Sequence, residues 1–458
     1  KERGSGRVGK GGVGERGSRG DGEIGRGKGG DIILEAGNNI NTTTARIYSG
    51  ADDGDTGNIN IIADGAIEIG QIDLASGFIR ERLEFNNNFT LIPVPKGEAT
   101  QGTAGNIIIS SKNSTIDTSA DRINSRSPDG SGDIIIEATG NITTGKLEAS
   151  ALNQEKPTTG GNIEIISRQG EINATKPIET FSERGEGGSV ALNAEGHIHT
   201  GSIRSEGMQK GGDIEIESRS QNSIEIIGNI SSYSTEGTAG NITLRSPGDI
   251  NLQGIRSDGM QQGGRIKVES ETGNIDATGG EIDSFSDQGT GGNVEINASE
   301  SVNLGNVSSF GMTESGNLTI QSQTAQVNTG NVTTQAPAGS SGNIIINAEE
   351  VGTGNLSSIG TTSAGEINVA ATDGSIQTYA IEISSDGSIG SLRLQATEDI
   401  ATEDIDQNAG AGDANIEINS GGDQTTGGIN QTADGDTNNT QNAGGNISGD
   451  VNQNAGNN

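Results

Sequence analysis

The 458-residue chain contains no cysteine and no tryptophan, and only 3 tyrosines, 6 phenylalanines and 7 prolines. Without cysteine there is no disulfide framework, no Cys-ligated metal centre and no thiol nucleophile. No apolar run reaches the roughly 18 residues that a membrane-spanning helix needs. No signal peptide is visible, and the chain opens on Lys1 rather than Met, which reads as a fragment or a mature form. Basic residues are scarce as well: 28 Lys and Arg stand against 62 Asp and Glu, a net charge of −34. Such a chain repels nucleic-acid phosphates and anionic membrane surfaces, so neither is an expected partner. The charge is uneven. Residues 1–30 hold 8 basic and 4 acidic residues, which leaves 20 against 58 for the rest.

Only 29% of residues are apolar and 76 are glycine, a composition that would suggest disorder if the apolar residues were scattered. They are not scattered. Fourteen glycines (Gly30, Gly57, Gly105, Gly132, Gly161, Gly188, Gly212, Gly240, Gly264, Gly292, Gly316, Gly342, Gly365 and Gly390) each open the same seven-residue pattern. Ile, Val or Leu stands two and four residues later, and Ala or Ser stands six residues later. Gly161-Asn162-Ile163-Glu164-Ile165-Ile166-Ser167 is typical. Period two is the mark of a strand with one buried face. The Ala/Ser slot suits a tight corner, and the leading Gly suits either positive φ or close backbone approach.

Successive anchors lie 23–29 residues apart, except for one 48-residue unit. Most units carry two further short apolar alternations, such as Asp249-Ile250-Asn251-Leu252 and Gly254-Ile255-Arg256-Ser257. Three short strands in one such unit leave no room for a helix or ordinary hairpins. The fold this predicts is a right-handed parallel β-helix of about 14–15 coils spanning residues 30–420, the last a degenerate coil from Ala414. With strands about 4.8 Å apart, such a rod is on the order of 70 Å long. A second period overlies the first: Met208, Met260 and Met312 are 52 apart, as are Phe181, Tyr233 and Phe285. Duplication of a two-coil module explains both series, and a repeated packing position accounts for them more simply than a contact stripe.

Three regions depart from the coil. Residues 1–29 are Gly/Arg-rich and are expected to be flexible. They contain Arg19-Gly20-Asp21, a tripeptide known for integrin binding, in a stretch where chance occurrence is easy. Gly4, Gly6 and Gly9 match dinucleotide-binding spacing but have no flanking strand and helix. The long unit carries an insertion near 78–104 with Phe78, Phe85 and Phe89, and Asn86-Asn87-Asn88 is predicted to turn a small lateral hairpin there. Side loops of solenoids often bind ligands, so these three Phe residues are the leading binding candidates; packing onto the coil is the competing reading. Residues 421–458 are Asn/Gly/Gln-rich and read as a low-complexity tail or weak terminal coils.

No catalytic constellation stands out. Acidic residues occupy outward slots and turns throughout; Asp276 and Asp283 fall close together, but similar pairs recur in most coils. His197 and His199 share a strand face without a nameable partner cluster. No nucleophile elbow, phosphate loop, zinc-protease helix or calcium loop is present. The reading is therefore non-enzymatic, with no cofactor and no resident metal.

The tandem units Gly160-Gly161-Asn162-Ile163-Glu164-Ile165, Gly291-Gly292-Asn293-Val294-Glu295-Ile296 and Ser341-Gly342-Asn343-Ile344-Ile345-Ile346-Asn347-Ala348 resemble the repeats of filamentous haemagglutinin-like exoproteins of Gram-negative bacteria. The nearest type is the large, acidic, Cys-free exoprotein of cyanobacteria, and the resemblance covers roughly residues 30–420. It implies two-partner secretion through an outer-membrane partner, an extracellular or cell-surface location, and an adhesive or spacing role towards cell-surface or extracellular-matrix components. The family's N-terminal secretion domain is not recognisable in residues 1–30. The caspase-like peptidase domain that some members carry is absent, and without Cys this chain could not supply its nucleophile. Two other readings stay open: a stalk whose activity lies in a further terminal domain, and a polysaccharide-degrading β-helix enzyme.

Overall fold

The computed structural model describes residues 7–8, 29–51, 54–76, 83–85, 91–93, 102–220 and 222–456. Among them there is no helix, and the chain is a parallel β-solenoid of about 16 turns. Among the described residues no helix is therefore long and apolar enough to cross a membrane. Two compact units divide the chain, Lys1–Asp213 and Ile214–Asn458.

In the first unit a representative coil runs through Ile163–Ser167, Ile172–Ala174 and Ile178–Ser182. Ile163 stands in register between Ile134 and Val190, and Ile165 between Ile136 and Leu192, all buried. The second unit repeats the scheme with Val294–Ala298, Val302–Leu304 and Val307–Gly311. There Ile296 is fully buried between Val268 and Ile320. Branched aliphatics fit these slots because they pack well on a pleated surface. The expectation of three separate strands needs one refinement. In several coils the second and third fuse into one longer strand, as in Ile67–Ser76 and Ile250–Gly259.

The anchor glycines serve close approach. Positive φ is confined, among the described glycines, to Gly54, Gly102, Gly130, Gly412 and Gly449, none of them an anchor. A Cβ on Gly132 would lie 2.0 Å from the carbonyl oxygen of Gly105, and one on Gly292 would lie 2.2 Å from that of Gly264. Neighbouring coils are clamped there by a buried serine on the third strand. Ser284 Oγ accepts the Gly292 N–H at 2.8 Å and donates to the Gly264 carbonyl at 2.9 Å, and Ser309 does the same for Gly316 and Gly292. The Ala/Ser slot is the corner that the sequence predicts. Ser270 Oγ donates to Gly248 O at 2.8 Å and accepts the Gly273 N–H at 3.0 Å, so one hydroxyl satisfies two backbone groups at the corner. After most anchors an Asn or Asp side chain accepts the backbone N–H of the next coil, as Asn293 does from Asn317 and Asn317 from Asn343, both at 2.8 Å.

The coil count exceeds the sequence-based 14–15 because the ladder continues past Ser420. Thr437–Ala443 pairs with Ala414–Ser420, and Ile447–Ala455 pairs with Gln424–Ala433. The aliphatic signal ends here because glutamine takes over an inward column. Gln431 Nε2 donates to Gln407 Oε1 at 3.1 Å, and Gln453 Nε2 donates to Gln431 Oε1 at 2.8 Å. Strands within residues 424–455 thus continue the parallel ladder.

Within the insertion, Leu83–Phe85 pairs antiparallel with Leu91–Pro93, Phe85 opposite Leu91. Near the N-terminus, Arg7–Val8 pairs antiparallel with Leu34 and Glu35.

Candidate functional site

Of the binding candidates taken from sequence, Phe78, Phe89, Arg19, Gly20 and Asp21 lie outside the described residues. Phe85 closes the strand Leu83–Phe85, and its ring also lies outside the description. His199 sits on the strand Ile198–Thr200, and no group of three or more His, Cys, Asp or Glu among the described residues is arranged to hold a metal ion.

Parallel in-register stacking turns each outward position into a column, so side chains a coil apart in sequence become neighbours. In the first unit this builds a charge network on the third strands. Glu148 is paired with Arg126 and, at 3.2 Å, with Lys146, which also reaches Glu179 at 2.6 Å. Burial pushes the Glu148 carboxyl up, but the two cations outweigh it and hold its pKa below the ordinary value. Burial likewise lowers the Lys146 pKa, and Glu179 with Glu148 reverses that to a net rise.

In the second unit the equivalent face holds an aromatic ladder beside two carboxylates. Tyr233, Asp258, Phe285 and Phe310 succeed one another in one column. The Phe285 and Phe310 rings stack with centroids 4.9 Å apart and planes 12° apart, and the Arg256 guanidinium lies 5.6 Å from the Phe285 centroid. Both faces of Phe285 are therefore occupied. The 52-residue series correctly sets Tyr233 and Phe285 two coils apart in one column, but the stacked partner, Phe310, belongs to neither series. Arg256 lies 3.0 Å from Asp258 and 3.8 Å from Asp283, and Ser308 Oγ donates to Asp283 Oδ1 at 2.6 Å. Burial raises both carboxyl pKa values despite the guanidinium, with Asp283 and Asp287 pushing Asp258 the same way. Asp283 thus teams with Asp258. Asp276, its neighbour in sequence, instead accepts the Thr278 N–H and hydroxyl, at 3.0 and 2.8 Å, in its own turn.

Folded Asp283 binds its proton more tightly than unfolded Asp283, so its stabilising contribution is complete below the ordinary Asp range and is lost as pH rises through the folded value. Asp283→Asn keeps an acceptor for Ser308 and removes the buried charge. It should stabilise the unit at pH 7 by about 0.5–1 kcal/mol, the scale of one partly buried charge contact. That gain should vanish near pH 3, as read from urea midpoints. A loss of stability at pH 7 would mean that the Arg256 pairing outweighs burial.

A concave feature of the second unit lies at the corner between second and third strands. A groove of about 620 Å³ is lined by Asn306, Asn328, Asn331, Gln377, Tyr379 and the threonines and glycines between them. Thr353, Thr378 and Thr402 are buried at its base, each Oγ donating 3.0 Å to the carbonyl of the following residue. Gly330 and Gly354 have no room for a side chain: a Cβ on either would meet an Asn Oδ1 of the preceding coil at 2.6 Å. At the next position of the column stands Tyr379, 58% exposed.

Comparison of the chain with protein-family models, with curated proteins and with solved structures finds no match in any of the three.

Proposed function

We propose that this chain is a non-catalytic, surface-exposed or secreted structural solenoid that mediates adhesion or spacing. The observation that supports this best is where the polar side chains go. Asn, Ser and Gln ladders, with the Arg256–Asp283 and Lys146–Glu179 pairs, reach the coil above or below, an arrangement that stiffens each unit and repeats along it. Arg256 pairs with both Asp258 and Asp283, so the two carboxylates share a cation. The repeat's resemblance to filamentous haemagglutinin-like exoproteins supports an extracellular setting and export with an outer-membrane partner.

The test uses the full chain coupled to beads. Adhesion to cell-surface or extracellular-matrix preparations is expected, with no reducing or unsaturated sugar ends released from acidic polysaccharides. Inert beads would remove the adhesive role, and release of sugar ends would replace this reading with a polysaccharide-degrading enzyme.

A further inference from the structure

We infer that the corner groove around Tyr379 is a binding site for a neutral polysaccharide strand. The inference deepens the adhesive reading by naming a ligand class and a site for it. It rests on the contrast between two aromatic positions of the same unit. Phe285 has one face against Phe310 and the other beneath Arg256, so it contributes packing. Tyr379 follows Gly330 and Gly354 in its column and precedes Glu403, so no ring stacks on it within that column. An exposed ring beside a floor of glycine is a platform for the C–H face of a pyranose.

Two coils before it in the same groove, polar groups match vicinal hydroxyls. Asn331 Oδ1 accepts the Asn355 N–H at 2.9 Å, which leaves its Nδ2 to donate. Asn328 Nδ2 donates to Asn303 Oδ1 at 3.2 Å, which leaves its own Oδ1 to accept. A donor and an acceptor on neighbouring side chains, both oriented by bonds to the preceding or following coil, are preorganised for a sugar diol. Charge selects against uronic-acid or sulfated polymers. The lining holds amides, hydroxyls and one carboxylate, Glu403, on a chain of net charge −34. The groove's length selects a polymer over a monosaccharide: its lining runs through successive coils from Asn306 to Glu403, each about 4.8 Å from the next.

Native affinity gels containing soluble glucan, mannan or galactan test the inference on the full chain, with polygalacturonate as the charged comparison. At least one neutral polymer should retard the protein. Tyr379→Ala should weaken retardation by about tenfold, the size of a lost stacking contact, while Tyr379→Phe keeps it. The residue is exposed, so an unchanged far-ultraviolet circular dichroism spectrum is expected and excludes misfolding. No retardation by any neutral polymer, equal retardation of Tyr379→Ala, or preference for polygalacturonate would each overturn the inference. The bead assay separates the two proposals. Wild-type adhesion that Tyr379→Ala leaves intact sinks the groove alone, and inert wild-type beads sink the adhesive role while the gels still judge the groove.

Discussion

Gly292→Val should strongly disrupt the coils of the second unit that meet at this anchor. The added Cβ would lie 2.2 Å from the Gly264 carbonyl oxygen and 2.5 Å from its carbon, and backbone cannot rotate away as a side-chain tip can. Relief would require separating two coils whose spacing is set by the flanking ladder, including Ile266 N–H to Asn293 O at 2.9 Å and the Ser284 clamp. A loss at or above about 3 kcal/mol is expected, the upper end of ordinary single-site effects. Because each coil touches only its neighbours, the loss should appear as local opening around residues 264–316 in hydrogen exchange before global unfolding. Gly428→Ala is the control: its nearest neighbour would be the Asp404 carboxylate at 3.4 Å, and φ there needs no glycine. If Gly292→Val exchanged no faster than that control, close approach would not be what fixes glycine at the anchors.

The same comparison shows why the coil was legible in the sequence and its surface was not. Inward Ile, Val and Leu on alternate residues declare a buried face directly, and the Ala/Ser slot declares the corner. Ser284 and Ser309 are equally buried but read as polar, because only the structure reveals that their hydroxyls serve anchor-glycine backbone. Residues 421–458 read as a low-complexity tail or weak terminal coils for the same reason: Gln431 bonds to Gln407 and Gln453, so an inward slot can be polar when its column is polar. The outward columns are harder still. Coil lengths vary between 23 and 29, so pairing Asp258 with Phe285 requires the register of the third strand, and pairing Tyr379 with Gly354 requires that of the second, not only that of the anchor. The sequence had a usable signal for the aromatic ladder in the Tyr233–Phe285 spacing, but none for Phe310 as the stacking partner. For the Tyr379 groove the only clue was an isolated aromatic following repeated Thr-Gly pairs.

Ile296→Asp should show the converse of the glutamine column. Ile296 is fully buried between Val268 and Ile320, neither of which can accept or donate a hydrogen bond, and the adjacent backbone is committed to the ladder through Val294 N–H to Asn317 O at 2.9 Å. A carboxylate there would be desolvated with no cation to compensate it. Gln431 escapes this fate at similar burial because its Nε2 also reaches the Ala414 and Asn438 carbonyls, at 3.2 and 3.1 Å, besides its glutamine neighbours. The expected cost is about 3–5 kcal/mol, as for an uncompensated buried charge, with protease cleavage appearing in the coils on either side. Ile296→Leu should cost less than about 1.5 kcal/mol, since volume is kept. Ile296→Gln should fall between them, because its amide has no ladder to join. An Ile296→Asp protein with the wild-type β signal and wild-type protease resistance would place this residue outside the core and undo the register assigned to the whole anchor strand.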